Sequence, residues 1–230
     1  MPRWPTSRRP RSPQPSPRPG TTPDAPLPAP ACLGLTGGIG AGKSAALDAF
    51  ARAGAAVLSS DDVVRRLYSE PGVVSAVRKR FGPGVIDAGG AVDRAALAAS
   101  AFDDPEALRF LEGLLHPRIG SEREAWVTAQ RALTPPPPLL VCEVPLLFEA
   151  RLEDRFDAVL VVTAPDDVRR RRVEARGQDF DGRAAHQVDE ARKVAAADMA
   201  FVNDGTLDDL DQWVGAVMAR FRRGVVNGAG

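Results

Sequence analysis

A glycine-rich segment early in the chain has the residue types and spacing of a phosphate-binding loop. An apolar run precedes it, a helical pattern follows it, and it reads Gly37-Gly-Ile-Gly-Ala-Gly-Lys-Ser44. Glycines let successive backbone N–H groups turn inward around phosphate oxygens, and the following helix adds partial positive charge at its N-terminus. Lys43 is predicted to reach the β- and γ-phosphates, and the Ser44 hydroxyl to ligate Mg²⁺. The segment therefore predicts binding of a nucleoside triphosphate.

Two adjacent carboxylates, Asp61 and Asp62, follow the second apolar run of the chain. In an open parallel sheet, ligands bind beyond the carboxyl ends of the strands, so a carboxylate there can take the proton of an acceptor hydroxyl. Asp residues also cap helix N-termini, and a helical pattern begins here at Val63. The spacing alone leaves both interpretations open.

The elements that must position these residues alternate between short apolar runs and helical patterns, which predicts an α/β fold with a parallel sheet. Strands are expected over residues 31–36, 55–58, 139–143, 157–163 and 200–203. Helical patterns fill about 62–133, and a charged stretch fills about 176–197. The predicted architecture is a P-loop NTPase core with a parallel five-stranded sheet, a helical acceptor-binding insert and a short lid.

Glu143 ends the third expected strand. Because strands one and three are expected to be neighbours in such a sheet, Glu143 is predicted to lie near Ser44. P-loop proteins hold Mg²⁺ or its waters at this place. Ser44 and Glu143 are therefore the candidate metal-binding residues.

Residues 1–30 differ in composition from the rest of the chain. They hold eleven of the 21 prolines and five arginines against one acid. Such a segment cannot bury a core, which predicts a disordered Pro/Arg-rich tail before a P-loop domain over 31–230. An arm for anionic surfaces, a transit peptide and a plain solvated tail all stay open, although proline density disfavours the amphipathic helix of a transit peptide.

The overall composition limits the partners and the compartment. Basic and acidic residues balance at 30 each, which does not suggest a nucleic-acid or membrane partner. Cys32 and Cys142 lie far apart in apolar runs and are predicted to be buried free thiols. No apolar stretch has the length of a membrane span, so a soluble, cytoplasmic protein is expected. No feature of the sequence indicates an obligate protein partner.

The rest of the sequence limits the classes of nucleotide-binding protein to which the chain can belong. A GTP-binding switch reads guanine with Asn-Lys-x-Asp, and neither of the two asparagines here precedes a lysine. A short P-loop chain with a helical insert and a lid-sized segment is typical of a phosphotransferase for a small acceptor. A kinase for another acceptor, such as a nucleoside monophosphate, and a non-enzymatic nucleotide-binding regulator are the alternatives.

The glycine-rich segment also resembles the phosphate loop of the dephospho-coenzyme A kinase family, which reads GLTGGIGSGKS where this chain has residues 34–44. Further segments agree with that family in order and spacing: residues 57–65, 93–94, 114–117 (Leu-Leu-His-Pro), 145–149 (Pro-Leu-Leu-Phe-Glu), 197–198 and 203–205. The resemblance covers about 33–217. The phosphate loop, LLHP and PLLFE are specific in combination, whereas any one alone is not.

The resemblance implies transfer of the γ-phosphoryl group of ATP, with Mg²⁺, to the ribose 3′-hydroxyl of dephospho-coenzyme A. It implies that Asp61 is the base that positions that hydroxyl and that Lys43 serves the reacting phosphates. The residues implied to bind ATP are Gly38, Gly40, Ala41, Gly42, Lys43, Ser44, Ala45 and Arg176. Arg172 and Arg176, one helical turn apart, match the pair of arginines that leads into the lid of the family. Those implied to line the acceptor side are Arg94, His116, Pro145, Leu146, Leu147 and Glu149.

The chain departs from the family pattern at three places. Ser59 stands where the family has the first Asp of its Asp-Ala-Asp segment, so one carboxylate serves unless Asp62 compensates. Ala45 replaces the usual Thr and keeps only its backbone N–H for the phosphates. The lid between Arg176 and Gln187 is shorter than in the family, which affects the contacts that the lid can make with ATP.

Several charged residues keep two interpretations. The run of arginines over 169–171 is typical of a solvated helix face. His116 before Pro117 either lines the acceptor cleft or marks the end of one helix and the start of the next. Lys193 either contacts phosphate from the lid or lies on the surface.

Overall fold

A sheet of five parallel strands lies at the centre of the fold, in the order β2-β3-β1-β4-β5. The computed structural model describes residues 29–101, 104–185 and 187–222. The predicted tail lies outside these residues except for its last two. The strands are β1 (Cys32–Thr36), β2 (Ala56–Ser59), β3 (Leu140–Glu143), β4 (Ala158–Thr163) and β5 (Met199–Val202). The predicted fold class is confirmed.

Helices cover both faces of the sheet, as a parallel sheet requires. The helices are α1 (Lys43–Arg52), α2 (Ser60–Leu67), α3 (Pro71–Phe81), α4 (Arg94–Ala101), α5 (Pro105–Arg131), α6 (Asp166–Glu174), α7 (Phe180–Ala184), α8 (Glu190–Ala196) and α9 (Leu207–Arg222). Short 3₁₀ turns lie over Pro83–Val85 and Glu153–Arg155.

Two apolar clusters fill the two sides of the sheet. On one side α1 and α9 pack on the strands, with Phe50 and Leu210 fully buried. The buried residues of α9 recur at helical spacing (Leu210, Val214, Val217, Met218), so one face of that helix covers the sheet. On the other side the helices of the insert pack on β3 and β4. The strands are apolar on both faces because both clusters draw on them.

The insert is helical, as predicted, and an isolated antiparallel bridge joins Ile86 to Val92 within it. The helix α5 runs through Pro117 without a break, which overturns the interpretation that this proline separates two helices. Proline at 117 removes one intrahelical N–H bond, but buried residues on both sides of it, Leu115 and Arg123, keep the two halves packed on the domain. Tertiary packing therefore overrides the local signal.

The two cysteines are buried and free, as predicted. They lie on the paired strands β1 and β3, with their Sγ atoms 3.8 Å apart. Within the described residues, no helix is both long enough and apolar enough to cross a membrane.

Candidate active site

The phosphate loop lies between β1 and the N-terminus of α1. Gly42 caps this helix with a φ of 100°, a left-handed conformation that glycine adopts without strain. A methyl group added at Gly40 would lie 2.5 Å from the Arg169 carbonyl oxygen. The backbone at Arg169 therefore approaches the loop so closely that no side chain fits at position 40. The loop has the backbone geometry of an anion-binding nest at a helix N-terminus.

Lys43 folds back over the loop. Its Nζ donates to the carbonyl oxygens of Gly37 at 3.0 Å and Gly38 at 3.1 Å. Burial lowers the pKa of the Lys43 ammonium, and the nearby Glu143 carboxylate partly opposes this effect. The Lys43 ammonium is thus held at the loop by neutral carbonyl oxygens, and a bound phosphate would give it an anionic partner instead.

Glu143 lies beside the loop, because β3 is the direct neighbour of β1 and pairs Glu143 with Leu35. The predicted adjacency of the first and third strands is confirmed. Burial raises the pKa of Glu143, whereas Lys43 and a hydrogen bond from Ser59 act in the opposite direction. Ser59 Oγ donates to Glu143 Oε2 at 3.0 Å, and Ser60 Oγ donates to the Glu143 carbonyl at 2.6 Å. This carboxylate is held in one place by its neighbours.

Asp61 and Asp62 lie in the first turn of α2, which begins at Ser60, earlier than the expected start at Val63. The cap position belongs to Ser59, and the described residues give this helix end no side-chain capping bond. The capping interpretation of the two acids is therefore not supported. Asp62 pairs with Arg65 at 2.6 Å, and Asp61 is exposed beyond the carboxyl end of β2.

The residues expected on the acceptor side differ in exposure. Arg94 at the start of α4 and His116 on α5 are exposed. In the segment after β3, Leu146 is exposed, whereas Leu147 is fully buried and packs in the core. Glu149 points toward the lid, where its Oε1 accepts the N–H of Val188 at 2.7 Å. Their contacts with an acceptor remain predictions.

Two arginines of α6, Arg169 and Arg172, contact the phosphate loop. Arg169 is only 6% exposed and donates to the Ile39 carbonyl at 3.4 Å, so the interpretation of a solvated face is wrong for it. Arg172 reaches the Gly40 carbonyl at 3.4 Å. The resemblance singles out Arg172, whereas Arg169 was missed, and its spacing of three residues from Arg172 on one helix is the signal that could have identified it. Arg176, the expected phosphate ligand, is exposed just after α6.

The lid also contacts the loop. Gln187 Oε1 accepts the backbone N–H of Ile39 at 3.0 Å. A methyl group added at Gly38 would lie 2.2 Å from Oε1 of Glu190 and 2.4 Å from Nη1 of Arg169. Gln187 and Glu190 of the lid therefore both lie against the phosphate loop. Sequence reasoning missed them because a lid carries no motif of its own.

The sequence is similar to known proteins over most of its length. A family model described as "Dephospho-CoA kinase" matches residues 31–209. The dephospho-CoA kinase of Leifsonia xyli subsp. xyli is 39% identical over 196 residues, which cover 83% of this chain and 98% of the relative. That of Frankia casuarinae is 41% identical over 185 residues, covering 78% of each chain.

Solved structures share the fold of this chain. The crystal structure of TT1252 from Thermus thermophilus has a TM-score of 0.70 and 34% identity, covering 83% of this chain and 97% of that one. Dephospho-CoA kinase from Campylobacter jejuni has a TM-score of 0.60 at 21% identity, covering 83% and 97%, and supports the fold alone. The loop, the sheet order and these relatives together show that the chain belongs to the dephospho-CoA kinase family.

Proposed function

We propose that the protein transfers the γ-phosphoryl group of ATP to the ribose 3′-hydroxyl of dephospho-coenzyme A, giving coenzyme A and ADP. The observation that carries the proposal is the position of Asp61. It stands exposed beyond the end of β2, at the same edge of the sheet as the phosphate loop after β1. A carboxylate there can orient an acceptor hydroxyl and take its proton while the loop holds the donor. Membership of the dephospho-CoA kinase family supports this choice of acceptor.

On the donor side, the backbone N–H groups of Gly38 and of residues 40–45 bind the phosphates. The Lys43 ammonium exchanges its bonds to loop carbonyls for the β- and γ-phosphates, where it stabilises charge during transfer. Arg176, exposed at the start of the lid, adds a second cation to the phosphates.

Mg²⁺ fits the residues at this edge of the sheet. The Ser44 hydroxyl and the Glu143 carboxylate are hard oxygen donors of the kind that this ion prefers. Among the described residues, no cluster of three or more His, Cys, Asp or Glu side chains could hold a metal by itself. This suits an ion bound mainly through phosphates and water, with few protein ligands. When bound, Mg²⁺ supplies neutralisation of the phosphate charge.

On the acceptor side, Asp61 acts as the base. Arg94 and His116 are exposed and available to the acceptor, together with Pro145 and Leu146 after β3. Leu147 supports this wall from the core, because its side chain is fully buried. Catalysis then consists of positioning and electrostatics, since phosphoryl transfer leaves little covalent work to the protein.

We also propose that the reaction takes place in the cytoplasm. The free, buried Cys32 and Cys142 support a reducing compartment. The balanced charge of the chain supports small-molecule substrates rather than nucleic acid.

The test is an ADP-release assay on the purified protein with ATP, Mg²⁺ and dephospho-coenzyme A. Phosphorus NMR of the product, against authentic coenzyme A, gives the position of the new phosphate. Reactions without acceptor, and with a nucleoside monophosphate instead, are the controls. Turnover that needs dephospho-coenzyme A and yields coenzyme A is expected. Equal ADP release without acceptor, or preference for the nucleoside monophosphate, would overturn the proposal.

A further inference from the structure

A single carboxylate oxygen holds two parts of the lid. Lys193 of α8 is fully buried, and its Nζ lies 3.0 Å from Oε1 of Glu149. The same Oε1 accepts the backbone N–H of Val188 at 2.7 Å. The Lys193 side chain and the Val188 backbone, which lies just before α8, therefore both contact the same oxygen of Glu149. The expectation of a surface lysine is therefore wrong, since Lys193 is buried beside a carboxylate of opposite charge.

Glu149 lies in a segment that hydrogen bonds attach to β1. The segment that carries it continues from β3 and is bonded to β1, with Val144 N–H donating to the Leu35 carbonyl at 2.9 Å. Thr36 Oγ1 donates to the Pro145 carbonyl at 3.4 Å. Because the same segment also buries Leu147 completely, the position of the Glu149 carboxylate follows from the core of the sheet.

The anchored stretch of the lid is the part that touches the phosphate loop. Gln187 directly precedes Val188 and bonds the Ile39 amide, and Glu190 precedes Lys193 by one helical turn and lies against Gly38. Val188 thus follows Gln187 directly, and Lys193 lies one helical turn after Glu190, so each attached residue is close in sequence to one of the residues that contact the loop. A shift of the anchor would move both of them relative to the ATP site.

Energetics favour a positioning role for the pair over a stabilising one. A buried ion pair contributes little net stability, since desolvation offsets most of the Coulomb attraction. Glu149 Oε2 and Lys193 Nζ are both buried and neither has a hydrogen-bond partner among the described residues, so the contact at 3.0 Å is an ion pair without hydrogen-bond geometry and the pair is not fully satisfied. Removal of one partner alone, however, leaves an uncompensated buried charge. In such a variant we expect the lid to open so that water reaches that charge.

We propose that Glu149 and Lys193 are positioning residues that fix the lid over the phosphate loop, so that the core of the sheet sets where Gln187 and Glu190 lie on that loop. Lys193 acts through Glu149 and does not itself contact phosphate. Glu149 serves the ATP side in this way, rather than the acceptor. The inference rests on the proposed function only for its kinetic test.

The first measurement needs no substrate. Hydrogen exchange of the Val188 amide in the ligand-free full chain is compared among the wild type, Lys193→Met, Glu149→Gln and the control Arg192→Met, an exposed cation on the same helix. We expect exchange about 10-fold faster or more in the two test variants, since local opening sets the rate. The control should match the wild type. Unchanged exchange in both test variants overturns the anchor, whatever the activity of the protein is.

Two double variants separate positioning from direct contact with phosphate. Glu149→Gln with Lys193→Met removes both charges but keeps an acceptor for the Val188 amide, whereas Glu149→Leu with Lys193→Met keeps none. We expect the first to retain a KM for ATP within about 3-fold of wild type, because no buried charge is left uncompensated. The second should show fast Val188 exchange and a KM for ATP raised about 10-fold, as a displaced lid binds the phosphates poorly.

The outcomes are distinct even if the single variants do not fold. A first double variant as impaired toward ATP as Lys193→Met, or as the second double variant, shows that Lys193 touches phosphate and overturns the positioning role. A rise in the KM for dephospho-coenzyme A that exceeds the rise for ATP shows that Glu149 lines the acceptor cleft and overturns its assignment to the lid. Absence of wild-type turnover would instead refute the proposed function and leave the exchange result intact.

Discussion

Ser59 and Glu143 are joined twice, as backbone partners in the neighbouring strands β2 and β3 and by a hydrogen bond of 3.0 Å from Ser59 Oγ to Glu143 Oε2. The family has a carboxylate at the position of Ser59, whereas this chain has a hydroxyl donor. A hydroxyl there stabilises the ionised form of Glu143, while a second carboxylate would oppose it. The departure at Ser59 thus acts directly on the candidate metal ligand.

Ser59→Ala should move the acid limb of the pH–rate profile to higher pH. Loss of the donor raises the pKa of Glu143 further above its ordinary value, and protons then compete with Mg²⁺ for the carboxylate. The free energy of unfolding should fall by about 1.5–3 kcal/mol, as for a hydrogen bond to a charged group. Initial rates across pH test this, with Ser121→Ala, an exposed hydroxyl on α5, as control. An unmoved acid limb would show that another group titrates.

Glu143→Gln should flatten the pH dependence of stability in the ligand-free protein. The pKa of Glu143 in the folded state is raised above its ordinary value of 4.5. Between 4.5 and the raised pKa, the folded state therefore binds more protons than the unfolded state. The free energy of unfolding from this group therefore falls as pH rises through that window. Urea titrations at several pH values measure the slope. A variant with the wild-type slope would contradict the assignment.

Lys43→Ala should lower turnover by about 10²–10³-fold, because the ammonium stabilises charge on the transferring phosphate. The melting temperature should change little, since within the described part of the chain the Lys43 ammonium donates hydrogen bonds to loop carbonyls alone. The matched control is Lys79→Ala, an exposed lysine on α3, which should keep both activity and stability. Turnover close to wild type in Lys43→Ala would remove Lys43 from the catalytic site.

Asp61→Asn and Glu143→Gln should impair the enzyme in different ways. Asp61→Asn keeps the shape but removes the proton acceptor, so kcat should fall by about 10²-fold or more with little change in either KM. Glu143→Gln should raise the apparent KM for MgATP, and high Mg²⁺ should partly restore the rate. Initial rates across Mg²⁺ concentration separate the two. Rescue of Asp61→Asn by metal would reverse the assignment, and full activity of both would make Asp62 the candidate base.

Leu146→Ala and Leu147→Ala compare two neighbours of opposite exposure. Leu147 is fully buried, so its truncation should cost about 2–5 kcal/mol of unfolding free energy and leave the KM for dephospho-coenzyme A little changed. Leu146 is 38% exposed on the proposed acceptor wall, so its truncation should raise that KM and cost little stability. Urea unfolding and steady-state kinetics decide between them. A KM effect confined to Leu147→Ala would place that side chain, and not Leu146, at the acceptor.

Features set by short-range patterns were predictable. The five strands of the sheet, the helical insert and the pairing of the first strand with the third all agree with expectation, although strand ends shift by about one residue. The glycine loop could be read directly because its spacing encodes a backbone shape. Exposure of Asp61 at the sheet edge agrees with its expected place, whereas its role as base remains a prediction.

The sequence by itself thus determined the class of fold, the phosphate loop and the family resemblance. Only the tertiary structure decided which charged residues are buried. Arg169 and Lys193 lie in stretches that read as solvated charge, yet both are buried, and Lys193 has its partner in a segment remote in the chain. A long cationic side chain is buried only where distant elements bring a counter-charge or carbonyl oxygens to it. Local spacing carries no record of such a partner, because packing of the whole domain brings the two together.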